Sequence, residues 1–258
     1  MYHPFSVGET IKTAWNVLKK NFVPLLVYSI ISLFIYEVVD FFNLFIFVGN
    51  DRISQFVLIF LQMIVQAYLA LSFYKLILTL MDREFYEFEF KDILPSFKMT
   101  VNFIVIALLY ALLIAILLFI NLLVERSFGS SQVLKAIELL FLLFLLLRSI
   151  FCVCFIVDDA SKPFESLVQS FEITKDNFFK TLSILAIIIA IMVAALIPII
   201  VLMNIFGVDS DGAAYIFKLA FYCWFLLTFP FVQVLIMVTY RKLVYSHKDV
   251  DDDITETL

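Results

Sequence analysis

VNFIVIALLYALLIAILLFINLLV, running from Val101 to Val124, contains no charged residue, no proline and no glycine. An α-helix rises ~1.5 Å per residue and a bilayer's hydrocarbon core is about 30 Å thick, so about 20 such residues cross it. This stretch is long enough to span, and apolar on every side. Working outward, five more stretches qualify: Phe22–Phe47, Ile53–Leu80, Val133–Val157, Leu182–Phe206 and Ile216–Tyr240. Leu182–Phe206 is equally free of charge. Glu37 and Asp40 interrupt the first, so its lipid-buried part is expected to end near Val39. Pro230 lies inside the last, where a kink is expected. The fold class that follows is an all-α integral membrane protein with six transmembrane helices, forming a single membrane domain over residues 1–258.

Composition agrees. Hydrophobic residues make up 64% of the 258 and mean hydropathy is +1.05, against about 45–50% apolar residues in soluble chains. With 31 Phe and 5 Gly, a soluble fold would expose more hydrocarbon than water tolerates. The net charge of -5 argues against a nucleic-acid partner, which requires a basic patch. Cys152, Cys154 and Cys223 lie in apolar runs without metal or redox spacing, and read as small buried residues. The opening MYHPFSVGETIKTAW reads as an amphipathic helix rather than a cleavable signal.

Of the 18 Lys and Arg, twelve fall in segments on one side of the spans and four on the other. The basic side is expected to be cytoplasmic, which places both termini inside. The outer loops Gly49–Arg52, Glu125–Gln132 and Gly207–Gly212 are short, leaving no room for an extramembrane domain.

Three segments on the basic side share one design. IKTAWNVLKKNF (Ile11–Phe22) and LVQSFEITKDNF (Leu167–Phe178) align Trp15 with Phe171 and Lys19 with Lys175. ILPSFKMTVNF (Ile93–Phe103) joins them through Phe97 after a one-residue deletion. Each carries an apolar stripe at helical spacing: Val7, Ile11, Trp15, Leu18 and Phe22; Phe90, Ile93, Leu94, Phe97 and Val101; Phe164, Leu167, Val168, Phe171 and Phe178. Ser6 with Glu9 reads as a capping box, and Ser161 before Pro163 as a helix start. The expectation is three repeated hairpins, each preceded by a cytoplasmic amphipathic interfacial helix, in units of about 5–82, 88–158 and 161–247. Trp15, Lys19, Lys20, Phe97, Phe171 and Lys175 would be its interfacial residues, with lysines toward lipid phosphates. Residues 248–258 read as a disordered acidic tail.

Charged groups inside spans are costly and mark sites. Lys75, Arg148 and Gln233 fall at similar depth in the three even-numbered spans, measured from Asp82, Asp158 and Arg241. Converging near an axis, they would bind an anionic ligand, Arg148 offering a two-pronged donor. The alternative has Lys75 reaching back to the interface and Arg148 capping free carbonyls or pairing with a carboxylate. Glu37 is read either in contact with Gln62 or Gln66 across the first hairpin, or in water at the outer interface. No catalytic constellation occurs: His3 and His247 are both terminal, so no histidine metal site assembles. Asp209–Gly212 begins like a calcium loop but lacks the distal Glu. No cofactor is expected.

RSIFCVCFIVDDASKPFESLVQSFEITKDNFFKTL (Arg148–Leu182) resembles the membrane domain attached to some glycerophosphodiester phosphodiesterases, and related six-helix bacterial proteins. The matching residues are Arg148, Val157, Asp158, Leu167, Ser170, Thr174, Lys175, Asn177 and Phe178. FSVGETIKTAWNVLKKNF is similar to the start of the same group. The resemblance implies six spans in a bacterial inner membrane, without phosphodiesterase activity, because the soluble catalytic domain is missing here. The expected role is a non-enzymatic protein that binds or helps move a membrane lipid or a small anionic amphiphile. The alternatives are an accessory subunit docking another membrane protein and, third, an intramembrane enzyme.

Overall fold

The computed structural model describes residues 6–46, 52–82, 90–128, 132–206 and 211–255. All their regular structure is helical: α1 (Val7–Lys20), α2 (Phe22–Ile46), α3 (Arg52–Asp82), α4 (Phe90–Ile93), α5 (Phe97–Phe128), α6 (Gln132–Ser149), α7 (Cys152–Asp158), α8 (Pro163–Lys175), α9 (Phe178–Phe206) and α10 (Asp211–Thr255). Six segments are long and apolar enough to cross a membrane: Phe22–Val39, Gln55–Asp82, Lys91–Arg126, Gln132–Asp158, Phe178–Val201 and Phe217–Val244. The chain is therefore a multi-pass membrane protein. His3, Arg83, Asp209 and Ser210 lie outside the described residues, as do parts of each outer loop.

The buried core sits at one end of the bundle. Residues 71–80 of α3, 147–157 of α6 and α7, and 231–243 of α10 supply most of it, joined by Ala14 and Leu18 of α1. This end also carries Lys19, Lys20 and Lys175, and is called the basic end below. Toward the opposite end the helices turn large apolar side chains outward, among them Phe56 (72% exposed), Leu118 (64%) and Leu140 (66%). In water such a surface would collapse; in hydrocarbon it is ordinary. The sixth span is the hub, packed by α1, α2, α3 and α9.

Span four, expected to be continuous, is broken at residues 150–151 into α6 and α7. A side chain from another helix enters the ladder there. The Ser170 hydroxyl of α8 donates to the Arg148 carbonyl at 2.7 Å and accepts the Phe151 N–H at 3.3 Å. Insertion of a polar side chain into the ladder is a recognised cause of helix breaks.

The middle apolar stripe is likewise not one helix. The chain leaves α4 after Ile93 and re-enters helix at Phe97. Pro95 has no N–H and disfavours helix at Leu94, while the Ser96 hydroxyl caps α5 by accepting the Met99 N–H at 3.3 Å.

The flanking helices α1 and α8 pack on the protein through faces that differ from most of their apolar stripes. In α1 the buried residues are Thr10, Ala14 and Leu18, while Trp15 stays 47% exposed. In α8 they are Ser166, Ser170, Ile173 and Thr174, while Phe164 and Val168 are exposed. Small residues let helices approach closely, as membrane helices prefer.

Caps shift too. Ser6 occupies the cap position of α1 without a side-chain cap bond. Lys162, not Ser161, precedes α8, its N–H donated to Glu165 at 3.4 Å. Ser161 instead bonds Gln169 at 2.9 Å, and its carbonyl accepts Asn102 Nδ2 at 3.0 Å. α10 continues unbroken through Pro230 and on to Thr255, so Asp249 and Asp251–Asp253 extend a helix rather than forming a disordered tail. Lengthening an existing helix is far easier than nucleating one.

Candidate functional site

Arg148 occupies the last turn of α6, where the break at residue 150 interrupts the span. Its backbone carbonyl is taken by Ser170, so the side chain is not needed to cap it. The guanidinium lies over the Phe171 ring, its carbon 5.1 Å from the centroid, an arrangement that favours a cation on a π face. Its Nε is buried and meets no hydrogen-bond partner among the described residues. An arginine N–H without an acceptor in an apolar setting is costly, and invites one.

That side chain lines a groove of about 420 Å³ between α5, α6 and α8. Leu109 and Leu113 of α5, Leu145 of α6, and Leu167 and Val168 of α8 form hydrocarbon walls. The polar lining comes from Arg148, Lys175, Glu172 and Tyr110. Two fixed cations against one carboxylate leave this lining with formal charge +1. Arg148, Phe171 and Lys175, singled out separately in the sequence, thus share one groove.

The other two members of the expected triad do not line it. Lys75 donates to the Leu94 carbonyl at 2.8 Å, the group left open where α4 ends. Gln233 is half-buried in α10, and its Oε1 meets no partner among the described residues. Trp15 packs edge-on against Phe231 at 5.7 Å, with Lys19 Nζ 5.5 Å from its ring. Lys20 is exposed and Phe97 is 85% exposed.

What does join the even-numbered spans lies at their basic ends. Arg241 of α10 reaches both oxygens of Asp82 on α3, at 2.8 and 2.7 Å, and stands 3.9 Å from Asp158 of α7. The Tyr240 hydroxyl donates to Asp158 at 3.0 Å. In the sequence Asp82, Asp158 and Arg241 serve as depth marks, Asp158 also as part of the family resemblance and Arg241 as one of the basic-side charges, but they are not paired. Their signal was available: each is a charge closing an even span, with signs that allow pairing.

Nearer the opposite end, Glu37 of α2 accepts Lys218 Nζ of α10 at 2.8 Å and also the Tyr222 hydroxyl. Neither expectation for Glu37 anticipated a partner from the sixth span. Gln66 shares with it a cavity of about 450 Å³ between α2, α3 and α10. Asn121 of α5 donates to Glu138 of α6, and Lys135 meets Glu125 at 2.7 Å. Among the described residues no three His, Cys, Asp or Glu gather where a metal could be held. Comparison of the chain with protein-family models, with curated proteins and with solved structures returned no match.

Proposed function

We propose that the groove between α5, α6 and α8 holds an anionic membrane amphiphile, with its headgroup at Arg148 and Lys175 and its hydrocarbon along the leucine walls. One observation carries this reading. A guanidinium braced on Phe171, with a buried N–H that meets no acceptor among the described residues, lines a groove whose walls are mostly hydrocarbon. Guanidinium is weakly hydrated and matches carboxylate or phosphate geometry. Glu172 beside it limits the charge the site accepts, which favours a singly charged headgroup. The role is one of binding or passing on such a molecule rather than transforming it.

We take the basic end to face the cytoplasm, on the strength of the threefold excess of Lys and Arg there, and the membrane to be a bacterial inner membrane, as the family resemblance implies. The repeat of three hairpins with interfacial lead-in helices rests on the shared segments, on the exposed Trp15, Phe97 and Phe164 and on the nearby lysines. Kinship with the membrane domain of glycerophosphodiester phosphodiesterases fits the same picture. Of the residues that carry it, Arg148, Leu167 and Lys175 line the groove, and Ser170 and Thr174 are buried behind it.

The test is lipid analysis of the purified protein by mass spectrometry. The unaltered chain is expected to retain an anionic lipid through purification, and Arg148→Leu to lose at least ~90% of it, while Arg148→Lys keeps an intermediate amount. Equal lipid in the unaltered chain and Arg148→Leu would overturn the proposal and leave the accessory-subunit role as the better reading.

A further inference from the structure

The cavity between α2, α3 and α10 differs in kind from the Arg148 groove. Its floor is a column of aromatic rings: Tyr28 stacks on Phe73 at 5.1 Å, Phe73 on Phe229 at 5.2 Å, and Phe229 on Phe225 at 4.5 Å. Among the described residues Glu37 is the single charged one in its lining. The stacked rings supply an apolar wall, while the Glu37 carboxylate beside the Tyr222 ring, over which a cation lies at 5.5 Å, makes a setting suited to an organic cation.

A cation already sits there. Lys218 Nζ lies 2.8 Å from Glu37 and 5.5 Å from the centre of the Tyr222 ring. These are the two contacts a ligand ammonium would make. The Lys218 side chain is 56% exposed and stands at the second residue of the sixth span, Phe217–Val244. Its long stem can swing the ammonium toward the interface and leave the carboxylate to another cation.

We propose that this cavity is a second site, independent of the Arg148 groove, for a hydrophobic organic cation. The charged centre of the ligand rests on Glu37 and Tyr222, its apolar body lies over the stacked rings, and Lys218 is displaced as it binds. The cavity volume of about 450 Å³ falls within the ~300–1,000 Å³ range of small-molecule sites.

Binding of tetraphenylphosphonium to the full chain in lipid nanodiscs, corrected for empty discs, tests this. The unaltered protein should bind it saturably, and Glu37→Gln should weaken binding at least ~10-fold. Lys218→Met should tighten binding several-fold, because the competing ammonium is gone; a variant damaged in folding would not gain affinity. Tetraphenylborate, an anion of the same shape, should not saturate. Unchanged affinity in Glu37→Gln, saturable tetraphenylborate binding, or no binding by either the unaltered chain or Lys218→Met would each overturn the proposal.

Discussion

Ser170 performs two tasks with one hydroxyl, donating to the Arg148 carbonyl and accepting the Phe151 N–H. Both groups are shut in by packed side chains, with Phe151 and Ser170 buried, so neither can readily turn to water for a substitute. Ser170→Ala is therefore expected to destabilise the protein by roughly 1–3 kcal/mol, the cost of leaving buried polar groups unmade. Ser183→Ala supplies the control. That hydroxyl is exposed and bonds only within its own helix, to Phe179 at 2.8 Å, so the change should stay within about 0.5 kcal/mol. Unfolding in a detergent titration measures both, and equal losses would contradict the bridging role. Arg148 was legible in the sequence because a charge within an apolar run is expensive and rare. Ser170 was not, because a serine on an amphipathic helix looks the same whether it faces water or a neighbour's backbone.

The helices α1 and α8 bury mostly small residues, with one large apolar side chain each, Leu18 and Ile173, and leave Trp15, Phe164 and Val168 outward. Ala14 is fully buried where α1 crosses α10, while Trp15 beside it is half exposed. Enlarging the buried position should force the helices apart, so Ala14→Leu is expected to cost about 1–3 kcal/mol. Trp15→Leu should leave the detergent unfolding midpoint nearly unchanged, although it replaces far more volume. The opposite order would mean that α1 docks through its aromatic stripe. The six spans were readable because length and hydropathy suffice to mark a crossing. Their neighbours were not, since lipid-facing and protein-facing positions are both apolar and leave little periodic contrast. The one-turn α4 was missed for a different reason: Pro95–Ser96 is a helix stop and start, and the apolar stripe across it drew attention from that signal.

At the scale of the whole molecule, two openings of opposite chemical character lie on different sides of the bundle. Arg148 faces one between α5, α6 and α8, and Glu37 faces the other between α2, α3 and α10. α10 is the element that ties the second opening to the rest, and Arg241 fastens its basic end to α3 and, through Asp158, to α7. The Arg241 side chain is only 15% exposed, whereas Asp82 is 49% exposed, so the pair gains more than a surface bridge and less than a buried one. Arg241→Met should leave two carboxylates facing each other without a cation, at a cost of about 1–3 kcal/mol. Asp158 would keep the Tyr240 hydroxyl at 3.0 Å, so the opening should concentrate at the end of α3. Hydrogen exchange ought then to quicken over residues 76–82 more than over 152–158. Adding Asp82→Asn to Arg241→Met removes one of the stranded charges and should recover part of the loss, a coupling that a double-mutant cycle isolates. If the two losses simply add, Arg241 acts by filling space, and the ends of the even spans are held by packing alone.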